Sequence, residues 1–171
     1  MKFIFIILLT IISAIVYGIV HDQITVRISI EYFLIGHPRI FHTESPTLLA
    51  CGWGIIATWW VGLILGIPLA ITARVGRWKK IEPKDLLKPI FVLLLIMGAV
   101  SILSGVIGYL TVSNGIFYLV EPYASRVPVD RHTAFLTAGW MHVGSYLAGF
   151  VGGIILIILT YKKRKVLSRA C

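Results

Sequence analysis

Acidic residues are scarce in this chain, with seven Asp and Glu among 171 residues against sixteen Lys and Arg. Charged residues of both signs make up only 13%, about half of what soluble domains carry, while 58% are hydrophobic. That balance disfavours a soluble enzyme, a disordered regulator and a nucleic-acid-binding domain together. Cysteine is nearly absent. Cys51 and Cys171 fall at different expected depths and form no C-x-x-C, which argues against a thiol–disulfide oxidoreductase. No H-E-x-x-H, E-x-x-H or G-x-S-x-G occurs, so no local motif announces a metalloprotease, a di-iron bundle or a serine hydrolase.

What the chain has instead is four long apolar blocks. A bilayer core of about 30 Å needs about 20 apolar helical residues. Residues 3–20, 47–72, 89–112 and 133–161 meet that length without an internal Asp, Glu, Lys or Arg. The first block, at 18 residues, exceeds the apolar core of about 7–15 residues typical of a cleaved secretory signal, and reads as a span. The expected architecture is all-α: one integral membrane domain over 1–171, a four-transmembrane-helix bundle. Outer loops cover 21–46 and 113–132, with a cytoplasmic loop at 73–88 and a tail at 162–171.

Charge distribution sets the expected orientation. Residues 1–2, 73–88 and 162–171 hold twelve of the sixteen basic residues and only Glu82 and Asp85 among the acids, a net of +10. The other side holds four basic residues against five acids, a net of −1. The positive-inside rule then places both termini in the cytoplasm. The formal charge of +9 is therefore a topology signal and does not announce a polyanionic partner.

Small residues recur at helical spacing in Gly62-x-x-x-Gly66, in Gly98, Ser101, Gly105 and Gly108, and in Ser145, Gly149 and Gly153. Such faces let helix backbones approach closely. They suit packing within the bundle first, and contact with a second copy or a membrane protein partner as an alternative. Pro68 lies late in the second block, where it is expected to kink the helix. Ser45-Pro46 reads as a helix start, with Ser45 as N-cap.

The segment Gln23–Glu31 alternates polar and apolar residues without a break, which predicts a half-buried strand. Gly36-His37-Pro38 then makes a turn, and Arg39–His42 completes a β-hairpin-like outer loop. All five histidines, His21, His37, His42, His132 and His142, fall on the outer side or at its boundary, with five of the seven acids. Counting about 20 residues from the basic anchors puts His21 and His142 at similar depth. His21, Asp22, Glu31, His37 and His142 are therefore the candidate ligands of a divalent transition metal at the outer face. The bland alternative is that boundary histidines simply bond loop backbone. His132 and His142, ten residues apart, lie on different faces of one helix. The second and third blocks contain no histidine, which disfavours a b-type haem.

The run His21-Asp22-Gln23-Ile24-Thr25-Val26-Arg27, followed by Glu31-Tyr32-Phe33-Leu34-Ile35-Gly36-His37-Pro38, resembles a group of uncharacterised bacterial multi-pass membrane proteins. The resemblance implies a bacterial cytoplasmic membrane and implies no activity. Three functions remain open from the residues. The simplest is a structural or accessory subunit with an outer-face partner or ligand site. The second is a membrane-embedded enzyme using the outer His and carboxylate group. The third, a small transporter or channel, is disfavoured by spans with no internal charge.

Overall fold

In a computed structural model the chain is helical throughout its regular structure, and residues 1–169 are described. Helices α1 (Lys2–Ile28), α2 (Ile30–Leu34), α3 (Pro46–Ile56), α4 (Trp59–Arg74), α5 (Lys84–Ser113) and α6 (His132–Arg169) follow in chain order. A 3-10 turn, Val129–Arg131, leads into α6. Four segments are long and apolar enough to cross a membrane: Lys2–Ile28, Pro46–Arg74, Lys84–Ser113 and Val129–Arg169. Apolar side chains such as Ile4, Leu8, Ile12, Leu95, Leu103 and Val151 face outward. A belt of that kind is costly in water and is accommodated by lipid. The fold fits a small integral membrane protein.

Helix α1 packs along α3 and α4, α5 packs along α6, and contacts between α4 and α6 join the two pairs. Glycine sets the closest approach. A Cβ on Gly54 would sit 2.5 Å from the Ile19 nitrogen, and one on Gly18 would sit 2.6 Å from the Gly54 oxygen. A Cβ on Gly62 would lie 2.6 Å from Ile11 Cα. The small-residue faces thus meet neighbouring helices of the same chain, except at Gly98, where nothing lies within 4 Å.

No strand occurs among the described residues, which corrects the expected hairpin. Gln23–Ile28 continue α1, Ser29 breaks the helix, and Glu31–Leu34 lie in α2. The period-two pattern misled because it assumes that the apolar set faces the core. The buried residues are His21, Asp22, Thr25, Val26, Ser29 and Phe33, whereas Ile24 is half exposed. Those spacings of three and four are helical, and the buried stripe is largely polar. Tertiary contacts overrode the β-propensity of Ile and Val.

The second span is interrupted at Ala57–Thr58, between α3 and α4, and α4 continues through Pro68. The Thr58 hydroxyl donates to the Gly54 oxygen at 2.5 Å, and the Tyr146 hydroxyl donates to the Ala57 oxygen at 3.0 Å. Irregular backbone at membrane depth persists where side chains re-satisfy it and where it lines a cavity; both hold here.

At the basic end, Lys2 pairs with Glu82 at 2.8 Å and Arg74 with the same carboxylate at 3.2 Å. Arg164 is 3% exposed. It donates to the oxygens of Thr72, Val75, Trp78 and Lys79. The end of α4 and the loop that follows are thereby tied to α6. Cys51 is half-buried, and Cys171 lies outside the described residues.

Candidate functional site

The histidine end of the bundle holds a buried polar cluster built from three helices. Helix α1 supplies His21 and Asp22, which are 8% and 5% exposed, α5 supplies Ser101, and α6 supplies His142. His21 Nδ1 lies 3.1 Å from Asp22 Oδ1, and His142 Nε2 lies 3.2 Å from the same oxygen. The two imidazoles meet edge-on with centroids 4.6 Å apart. One ligand-capable atom from each of His21, Asp22 and His142 lies within 4.8 Å of the others.

The far nitrogens of both rings decide their tautomers. His142 Nδ1 is 2.8 Å from the Ala138 oxygen. A carbonyl only accepts, so Nδ1 carries the hydrogen. His21 Nε2 is 3.0 Å from Ser101 Oγ, and Ser101 donates to the Met141 oxygen at 3.1 Å. That chain also ends on a carbonyl, which makes His21 Nε2 a donor. As neutral imidazoles, both rings therefore turn their lone pairs onto one carboxylate oxygen. Three lone-pair atoms at such distances repel unless a cation lies among them, either protons or a metal ion.

A small cavity of about 100 Å³ adjoins the cluster. Its wall includes Tyr17, Tyr32, His37, Trp53 and Tyr146, and no Lys, Arg or Glu. Asp22 is the one formal charge on that wall, so only the imidazoles or a bound cation can balance it. Tyr17 and Ser145 share a hydrogen bond of 2.8 Å. The Tyr32 ring lies over His142 at 4.6 Å, and burial pushes its phenol up to about 12.

His37 joins this cavity from the loop after α2 but stands outside the three-residue cluster. Its Nδ1 donates to the Tyr32 oxygen at 2.9 Å, and Trp53 packs on it at 4.5 Å. Burial holds the imidazole below its ordinary range, so it is neutral at neutral pH with Nε2 bare. It also lines a surface depression shared with Glu31, Arg39 and Arg126. His37 therefore stands between the outside and the cavity.

Glu31 is engaged elsewhere. Arg131 Nε donates to Oε1 at 2.8 Å, and the Ser29 hydroxyl donates to Oε2 at 2.7 Å. Burial alone would raise this carboxyl, but the Arg131 and Ser29 bonds outweigh it and hold it below the ordinary 4.5. A carboxyl lowered in the folded state stabilises above its unfolded value, and the contribution is lost as pH falls through the folded one. The destabilisation caused by Glu31→Gln, measured by thermal melts at neutral pH, is thus expected to shrink steadily below pH of about 4.5. A difference that stays constant into acid would exclude this ion pair as its source. His132 Nε2 donates to the Val127 oxygen in the preceding loop at 2.9 Å.

Of the five sequence-derived ligands, the fold brings together His21, Asp22 and His142 and leaves Glu31 and His37 outside the cluster. Sequence reasoning missed Ser101, which read only as one small residue in a packing face. Ser145 and Tyr146, three and four residues after His142, are readable on its helix face, but Tyr17 and Tyr32 were missed because they lie on other helices with no shared motif. The fold and site are those of an all-helical chain with four membrane-capable helices, which fits a small integral membrane protein, and a buried His–Asp–His cluster. No protein-family model, curated protein or solved structure matches this chain.

Proposed function

We propose that this protein is a membrane-embedded metalloprotein, binding one divalent transition metal through His21, Asp22 and His142 near the outer boundary of the bilayer. The observation that carries the reading is the pair of imidazoles with their far N–H groups committed to outer acceptors, the Ala138 carbonyl for His142 and the Ser101 hydroxyl for His21, and their near nitrogens aimed at one carboxylate oxygen. Metal-ligating histidines are oriented in this way by an outer hydrogen bond. With metal–ligand bonds of about 2.1 Å, two adjacent ligands lie about 3.0–3.4 Å apart. The separations of 3.1 and 3.2 Å fall in that range. Three protein ligands leave positions open toward the cavity, the arrangement of catalytic rather than structural sites.

The segregation of Lys and Arg supports an orientation with both termini in the cytoplasm and the metal centre toward the outer side. The sequence resemblance favours a bacterial cytoplasmic membrane.

Elemental analysis of protein purified in detergent without chelator tests the assignment. About one transition-metal ion per chain is expected, with occupancy falling at least tenfold in Asp22→Asn and His142→Gln, whereas His132→Gln retains it. Ser101→Ala is expected to weaken affinity about tenfold, the usual cost of removing an outer hydrogen bond from a ligating histidine. If the protein takes up neither Co²⁺ nor Zn²⁺ supplied in excess, the cluster holds protons and the metal reading is wrong.

A further inference from the structure

A second void, of about 70 Å³, lies deeper in the bundle between α1, α4, α5 and α6. Ala14, Val61, Met97 and Gly149 line both this void and the cavity beside the His–Asp–His cluster. The two spaces therefore share a wall of four residues. The deeper void is bounded mainly by aliphatic side chains such as Leu65 and Leu94. Its hydroxyls are those of Thr10 and Ser13, and Thr10 is turned back onto the Ile6 and Ile7 oxygens of its own helix at 3.2 and 2.8 Å. A buried water needs two to four polar partners, and apart from Ser13 this space offers few.

We propose that the paired voids bind a small uncharged apolar molecule of the dioxygen class and lead it to the open side of the metal centre. This deepens the metalloprotein reading and rests on it. Volume decides the ligand class. An engineered apolar cavity of about 150 Å³ takes benzene or xenon, so spaces of about 100 and 70 Å³ suit a diatomic molecule and are too small for a lipid chain. The cavity beside the cluster carries the hydroxyls of Tyr17, Tyr32, Thr58, Ser145 and Tyr146, whereas the deeper void behind it is mainly aliphatic. Two histidines and one carboxylate with open positions also form the ligand set of Fe²⁺ sites that bind dioxygen.

Xenon is the probe for the voids, applied under pressure to chelator-treated full-length protein carrying ¹³C-labelled methyl groups. Saturable shifts are expected at Leu65, Leu94 and Met97. The outward-facing Leu95 and Leu103 should show only the linear response of xenon dissolved in detergent. Leu94→Ala, which enlarges the void, should strengthen binding, and Ala14→Leu, which fills the shared wall, should weaken it at least tenfold. Linear shifts at Leu65 and Met97 would overturn the proposal.

The second arm uses Fe²⁺-loaded protein and nitric oxide, an uncharged diatomic with a clear electron paramagnetic signal on ferrous iron. Ala14→Leu should retain its iron and bind nitric oxide at least tenfold more slowly. Equal rates would exclude the voids as the route. If none of Fe²⁺, Co²⁺ and Zn²⁺ is retained while xenon binding saturates, the metalloprotein reading fails and the delivery route falls with it. If iron is retained while xenon responds linearly, only the void proposal fails.

Discussion

Replacing Arg164 with alanine is expected to lower the thermal midpoint of the detergent-solubilised protein by roughly 10 °C, from a loss of about 3–4 kcal/mol. The guanidinium is buried and donates to four backbone oxygens, three of them beyond the last turn of α4. Hydrogen bonds from a charged donor contribute about 1.5–3 kcal/mol each when they stand alone. The total is smaller than their sum, because carbonyls at the end of the bundle regain some water. Arg164→Lys separates charge from geometry. A single ammonium keeps the positive charge but cannot match a planar fork directed at four acceptors, so most of the loss should remain. Lys163→Ala, an exposed neighbour, should melt like the parent protein. If Arg164→Lys were as stable as the parent, the network would be contributing charge alone.

Gly54→Ala is expected to destabilise by about 3 kcal/mol, at the upper end for overpacking, and to weaken metal binding at least tenfold. The added carbon would meet the Ile19 nitrogen at 2.5 Å and the Gly18 carbonyl carbon at 2.8 Å. Both are backbone atoms, so no rotamer change relieves the contact, and α1 must move away from α3. His21 and Asp22 follow Ile19 on α1 within a turn, so their ligand atoms move with it. Differential scanning and Co²⁺ titration of the same sample would read the two effects together. Gly98→Ala is the matched comparison. Nothing lies within 4 Å of that position, so it should be neutral in both measurements. A Gly54→Ala protein with parental stability would mean that α1 and α3 are less closely packed than this.

Some of this molecule is legible along the chain. Long apolar runs beside Lys and Arg mark the four membrane-capable helices, since run length against bilayer thickness is a one-dimensional comparison. The similar depth of His21 and His142 follows from the same counting. Other features are not local. The outer loop looked like a strand because a buried stripe of His21, Asp22, Thr25 and Ser29 reverses the usual relation between polarity and exposure. The helix break at Ala57–Thr58 depends on Tyr146, which lies 89 residues away along the chain. Arg164 resembled any other residue in a basic tail until the fold folded the 75–79 loop around it.

Hydrophobicity and charge act position by position, so four apolar segments long enough to cross a membrane and the segregation of Lys and Arg along the chain are readable without a fold. The convergence of His21, Asp22 and His142, the Ser101 bond to one ring and the pairing of Glu31 with Arg131 arise only in three dimensions. Those outcomes depend on how each helix is rotated about its axis. That rotation is set by contacts between distant residues, such as Gly18 against Gly54, which no window along one helix contains.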